Sequence, residues 1–133
     1  MATLFDVFIV TPERELWSGR ATIVVARGTE GEVGILAGHA PMLIELGISP
    51  LFVTTEGGER LAAAVDGGFL HVTSEGLETR VDVLAEHAEL QQEIDVEKAR
   101  QEEAEAERQL RERVDSRAAA RLAKARVRLG LRG

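Results

Sequence analysis

Hydrophobic and polar residues alternate along the first part of the chain, and then the alternation stops. Phe5, Val7 and Ile9 fall on one face with Leu4, Asp6, Phe8 and Val10 on the other, the period of a half-buried strand. Thr11-Pro12-Glu13-Arg14 breaks this run as a turn, and Glu15-Leu16-Trp17 resumes it before Gly19. Residues 21–27 contain the β-branched series Thr22, Ile23, Val24, Val25 and read as a central strand. Further short runs follow at 33–36, 42–46, 51–55, 61–65, 69–73 and 77–84, nearly all separated by glycine-bearing turns such as Gly57-Gly58 and Gly67-Gly68. About eight or nine short strands at this spacing predict an antiparallel sandwich or flattened barrel and not a βαβ nucleotide fold.

The second part obeys another rule. Of the 13 glycines, all but Gly130 and Gly133 lie at or before Gly76, as do the three prolines. From Val96 to about Leu129 the chain is built of Ala, Glu, Gln, Arg and Lys, strong helix formers. Asp95 suits an N-cap, with Glu97 in the first turn where the helix dipole favours it. One face carries Val96, Ala99, Glu103, Ala106, Leu110 and Arg113; a second carries Ala118, Leu122, Ala125 and Leu129. Asp115-Ser116 offers a second cap, so two antiparallel helices joined near 114–116 are one solution. A continuous rod over 96–129, roughly 50 Å long, is the other. Small side chains on both stripes make the packing advantage of the hairpin modest. The expected division is a β-rich domain over 1–85 and a helical domain over 86–133, an α+β protein.

Charge changes the picture of the tail. The chain has a net charge of -7 and a pI near 5.0, which argues against nucleic acid as its partner. Residues 86–112 hold ten acidic and four basic groups, whereas residues 113–133 hold seven basic and one acidic. The two halves of the tail therefore attract each other or something else. No apolar run approaches the ~20 residues needed to span a bilayer, and the first ten residues read as a strand and not as a leader. Cysteine is absent, which removes disulfides and thiolate chemistry.

Candidate chemistry in the body is thin. Gly28, Gly31, Gly34 and Gly38 have neither a phosphate-loop lysine nor dinucleotide spacing and read as turns. His39, His71 and His87 form no pair at a metal-ligand interval. Ser18, Ser49, Ser74 and Ser116 have no nucleophile-elbow context, and the acidic residues do not single out an acid/base pair. A metal site and an active site are both unsupported.

Read as a whole, the chain resembles the epsilon subunit of bacterial F-type ATP synthase. The resemblance rests on Thr11-Pro12-Glu13-Arg14 with Leu16-Trp17 and Gly19, then GTEGEVGILAGHAPML over 28–43, Val65-Asp66-Gly67-Gly68-Phe69, Val83-Leu84-Ala85 and Glu93-Ile94-Asp95-Val96. It implies a sandwich of about ten strands followed by a two-helix hairpin. It also implies a non-catalytic rotor subunit in the central stalk, a peripheral component on the cytoplasmic face of the cell membrane. Its sandwich would bind the gamma subunit and the ring of c subunits. Its helices would either fold against the sandwich or extend along gamma toward the catalytic beta and alpha subunits, where they inhibit ATP hydrolysis.

Site residues follow from the same resemblance. Glu30, Gly31 and Glu32 are expected at the c ring, and His39, Ala40, Pro41 and Met42 at gamma. Some members bind ATP through a motif similar to Ile94-Asp95-Val96-Glu97-Lys98-Ala99 with an acidic residue upstream, here Glu89. Lys98 stands where that motif has arginine and lacks the planar fork, so the expectation is weak ATP binding or none and no obligate cofactor. Arg113, Arg117, Arg121, Lys124, Arg126, Arg128 and Arg132 form a basic segment that would clasp an acidic loop of beta once extended. A stand-alone ATP-sensing protein is the rival reading.

Overall fold

The computed structural model of the chain describes residues 3–76, 78–113 and 115–132. Among them run six strands: β1 (Phe5–Val10), β2 (Glu15–Gly28), β3 (Gly31–Ile35), β4 (Met42–Thr55), β5 (Arg60–Glu75) and β6 (Glu78–Leu90). A single 3-10 turn, Gln91–Glu93, leads into α1 (Val96–Glu112) and α2 (Ser116–Arg132). The strands bond in the order β1-β6-β5-β4-β2-β3, and β1 also pairs with β2, so the sheet closes on itself. The β-sandwich followed by a two-helix hairpin is the architecture expected.

The strands are longer and fewer than the alternation predicts. Runs 42–46 and 51–55 are both β4, and runs 61–65 and 69–73 are both β5. Gly57-Gly58 is a turn between β4 and β5, but Gly67-Gly68 is a bend within β5, with φ of 77° and 119°. The bend explains the broken pattern. Before it Ala63 and Val65 face the core; after it Leu70 and Val72 do, which is the opposite parity. β4 switches likewise from Leu46 to Leu51 and Val53, and β6 from Val81, Val83 and Ala85 to Ala88 and Leu90. All three strands thus change parity along one line and contribute to both layers of the sandwich.

Two further differences matter. β1 pairs with β6 in parallel, from Asp6 with Arg80 to Val10 with Leu84, so the sheet is not wholly antiparallel. β6 also continues past residue 85 to Leu90, which pairs with Ala63. The helix-forming composition starts later than the last backbone pairing ends, and only the first of these is visible as a change in residue types. Elsewhere the expected elements hold: Phe5, Val7 and Ile9 of β1 are buried, and Thr11 N donates to Arg14 O at 2.9 Å in the first turn.

In the tail the hairpin is found and not the rod. Asp95 accepts from Lys98 N at 3.1 Å, and Asp115 accepts from Arg117 N at 2.8 Å and Ala118 N at 3.3 Å, capping both helices. Ala99 and Ala106 of α1 and Ala118 and Ala125 of α2 are fully buried, each pair at heptad spacing, and the two helices pack along these alanines. Val96, Leu110, Leu122 and Leu129 are only half-buried. α2 lies against β4 and β5, with Ala64 of β5 beside its Lys124, Val127 and Arg128.

Candidate functional site

A groove of about 240 Å³ runs between α2 and the sandwich, lined by charged groups from four elements, including Asp66, Glu89, Lys98, Glu102, Lys124 and Arg128. Arg128 sits deepest, at 8% exposure. Its Nε and Nη2 donate to the two oxygens of Glu89, the latter at 3.4 Å, and its Nη1 donates to Glu102 Oε2 at 3.0 Å. Lys124 Nζ lies 3.3 Å from Asp66 Oδ2 on β5. The basic segment is therefore not one open face. Arg126 pairs with Glu107 at 2.9 Å and Glu103 at 3.6 Å, and Arg121 donates to the Gln109 side chain. Arg113 and Arg117 are exposed near the loop between the helices. The acidic α1 and the sandwich thus pair Lys124, Arg126 and Arg128 of α2 with carboxylates.

The residues compared with a nucleotide motif gather where β6 meets α1, but they do different things. Glu89 and Lys98 line the groove, with Glu89 engaged by Arg128. Asp95 is the cap of α1, while Ile94 and Ala99 are buried. The same junction is tied to the first turn by Glu93, which accepts from Arg14 Nη2 at 2.7 and 2.9 Å and from Leu90 N at 2.8 Å. The Leu90 N–H and the Arg14 guanidinium hold the Glu93 carboxyl below the usual range, against the opposing effect of burial.

The other expected contacts lie elsewhere on the sandwich. Glu30, Gly31 and Glu32 are exposed at the tip of the β2–β3 hairpin, steadied by Thr29 N donating to Glu45 O at 3.1 Å and by an Arg27–Glu32 pair at 3.9 Å. His39, Ala40 and Pro41 end the connection from β3 to β4, and Met42 opens β4. This loop is pinned to the β5–β6 end: Ser74 Oγ donates to His39 O at 2.7 Å, and Gly38 N donates to Thr79 Oγ1 at 2.7 Å. Ala40 and Pro41 are exposed, and Met42 packs against the core.

Sequence reasoning missed an apolar surface beside that loop. Leu36, Leu43, Phe69 and Leu84 are all roughly half or more exposed, and Phe69 and Leu84 are direct partners across β5 and β6. The available signal was parity: Phe69 and Leu84 occupy outward positions between the buried Leu70 and Val83, where polar residues belong. An exposed apolar cluster of this kind on a folded domain marks a contact surface. Among the described residues no group of acidic or histidine side chains is arranged to hold a metal, and no helix is long and apolar enough to cross a membrane.

A sandwich with an uncovered apolar face on one side of its bend and a charge-paired helical hairpin on the other has the build of a subunit of a larger assembly. The comparisons give that class a family. The family model for the ATP synthase delta/epsilon chain β-sandwich domain matches residues 4–91. The ATP synthase epsilon chain of Thermobifida fusca (strain YX) is 48% identical over 126 residues, covering 92% of this chain and 88% of that protein. That of Rhodococcus jostii (strain RHA1) is 50% identical over 97 residues, 71% of this chain and 75% of that protein. Among solved structures, a chain of the Euglena gracilis mitochondrial ATP synthase OSCP/F1/c-ring assembly aligns with a TM-score of 0.79 at 26% identity, covering 91% of this chain and 76% of that one. The chain belongs to the ATP synthase epsilon chain family.

Proposed function

We propose that the chain is a non-catalytic subunit of the central stalk of a proton-translocating F-type ATP synthase, coupling the c ring to gamma and restraining ATP hydrolysis through its C-terminal helices. Family membership supports the place in the complex, and an F1/c-ring assembly is the setting of the aligned Euglena gracilis chain. The hairpin tip with Glu30, Gly31 and Glu32 faces the c ring. The loop from His39 to Met42, with the apolar cluster of Leu43, Phe69 and Leu84 beside it, meets gamma. The subunit works as a peripheral part of the complex on the cytoplasmic face of the membrane.

The observation that carries the inhibitory part is the pairing of α2's cations. Docked, Lys124, Arg126 and Arg128 are engaged by Asp66, Glu103, Glu107, Glu89 and Glu102, so an acidic surface on a catalytic subunit would find these three cations already paired. Extension of the hairpin releases them toward beta and alpha. The test is the ATPase activity of a complex assembled with a chain ending at Ile94, which keeps β6 whole. Hydrolysis should rise with subunit stoichiometry unchanged; an unchanged rate rejects inhibition by the tail.

The basic side chains lining the groove, Lys98, Lys124 and Arg128, also suit the rival reading of an ATP-binding sensor. Carboxylates already occupy two of the three, and Lys98 offers a single ammonium in place of a fork, so ATP binds weakly at most. Titration calorimetry decides it: a dissociation constant of micromolar order, about -8 kcal/mol, would overturn this statement.

A further inference from the structure

Three cations on α2 lie one turn apart along a single stripe, and each reaches a different part of the sandwich domain. Lys124 meets Asp66 of β5, Arg128 meets Glu89 of β6, and Arg132 Nη1 donates to Gln91 O at 3.4 Å in the 3-10 turn. Arg128 differs from its neighbours. Its side chain is 10% exposed against 42% for Lys124, and it alone of the three also binds α1, through Glu102. One guanidinium thereby joins β6, α1 and α2, with fork-on-fork geometry toward Glu89 and its remaining terminal nitrogen on Glu102. The apolar part of the α1–α2 seam is made of alanines, whose methyl groups add little when buried.

We infer that Arg128 is the latch of the hairpin: the balance between docked and undocked tail is set by this one buried guanidinium held between Glu89 and Glu102, and is controlled by charge more than by apolar contact. Two consequences follow from the geometry. Removing either carboxylate leaves part of the buried Arg128 guanidinium without its acceptor, while removing Arg128 leaves two carboxylates facing each other without a cation between them. Each change favours the open tail. The exposed pairs of Lys124 and Arg126 are screened by water and contribute far less. Added salt weakens the latch only partly, since burial shields it from counter-ions.

The inference rests on the tail being able to leave the sandwich, as the proposed function requires, but it is tested without the complex. The chain has no cysteine, so spin labels on cysteines introduced at the exposed positions Gly57 and Ala120 report the docking distance without interference. In the otherwise unchanged chain the distance distribution should be narrow. Arg128→Leu and Glu89→Gln should each raise the undocked fraction at least about tenfold. Arg128→Lys should raise it less, and Arg113→Leu, at an exposed site, should leave it unchanged. Far-ultraviolet circular dichroism and hydrogen exchange in β5 confirm that each variant keeps a folded sandwich. A distribution in Arg128→Leu as narrow as in the parent, with equal exchange in α2, overturns the latch. If the tail opens in these variants while the ATPase rate of the assembled complex does not move, the latch stands and the inhibitory role fails.

Discussion

Gly68 lies against the backbone of Leu84 so closely that a Cβ there would stand 2.2 Å from the Leu84 carbonyl oxygen and 2.8 Å from Ala85 Cα. Its φ of 119° is also one that side chains rarely adopt. This contact is where β5 and β6 cross the bend line together, so both layers depend on it. Gly68→Ala should lose about 3 kcal/mol or more, because neither backbone can withdraw without breaking the ladder, and lower the melting temperature by roughly 10 °C. Gly57→Ala, in open space at the β4–β5 turn, should stay within about 0.5 kcal/mol of the parent. Thermal denaturation of the two variants side by side provides the check.

The alanine seam gives a second prediction, confined to the tail. Ala106 and Ala125 have no exposed surface, and the close approach of α1 and α2 leaves no space for a longer side chain. Ala125→Leu should overpack the seam by about 1–3 kcal/mol and separate the helices, although leucine forms helices nearly as well as alanine. Hydrogen exchange should quicken in α1 and α2 and stay slow in β4 and β5. Equal quickening in the sandwich would show that the two parts unfold as one.

Acid should act on the tail through two carboxylates. Asp115 is held below the usual range by the N–H groups of Ala118 and Arg117, and Glu93 by the N–H of Leu90 and by Arg14. A depressed folded-state pKa contributes stability that is present above the unfolded value, ~4 for a carboxylate, and is lost as pH falls through the folded one. Helical ellipticity should therefore be flat down to about pH 4 and fall below it. Asp115→Asn should make the fall shallower, since an amide cap does not titrate. A variant with the same acid slope as the parent would exclude Asp115 as a contributor.

Legibility in the sequence followed the range of the forces involved. Strand periodicity, the Thr11–Arg14 turn and the caps at Asp95 and Asp115 are local and were readable residue by residue. The joining of runs into β4 and β5 was not, because a glycine pair marks a bend as well as it marks a turn; only the partner strand, Leu84 and Ala85 against Gly68, decides between them. The basic segment was visible as composition, but a guanidinium buried between Glu89 and Glu102 looks the same in sequence as its exposed neighbours. The outward-facing Phe69 and Leu84 were hidden for the opposite reason, since an apolar residue in a strand is assigned to the core by default.

At the β2–β3 tip, Glu30 and Glu32 are exposed, and Glu32 has a cationic neighbour, Arg27, at the long distance of 3.9 Å. Changing both to Lys reverses the local charge without touching the core. If the tip meets the c ring, the double variant should bind the ring more weakly at low ionic strength and approach the parent at high salt, where exposed charges are screened. Binding measured at two salt concentrations separates this from misfolding, which salt does not rescue in that way. Equal binding at low salt counts against the placement.

The docked tail makes opposite predictions for two kinds of variant in the assembled enzyme. Glu89→Gln removes no cation from α2, yet it deprives Arg128 of its bidentate partner and so favours the extended tail. If the extended tail inhibits as proposed, hydrolysis should fall, because more of the population would present its cations to the catalytic subunits. A chain ending at Ile94 removes the cations together with the helices, and hydrolysis should rise. Replacing Arg121, Lys124, Arg126 and Arg128 together by Ala should also raise it, since such a tail undocks but has little charge left to hold. The signs matter more than the sizes: a tail that acts only as a structural brace would lower activity in all three variants through poorer assembly. ATPase rates at matched subunit stoichiometry distinguish the cases, and a rate equal to the parent in all three removes the tail from control of hydrolysis.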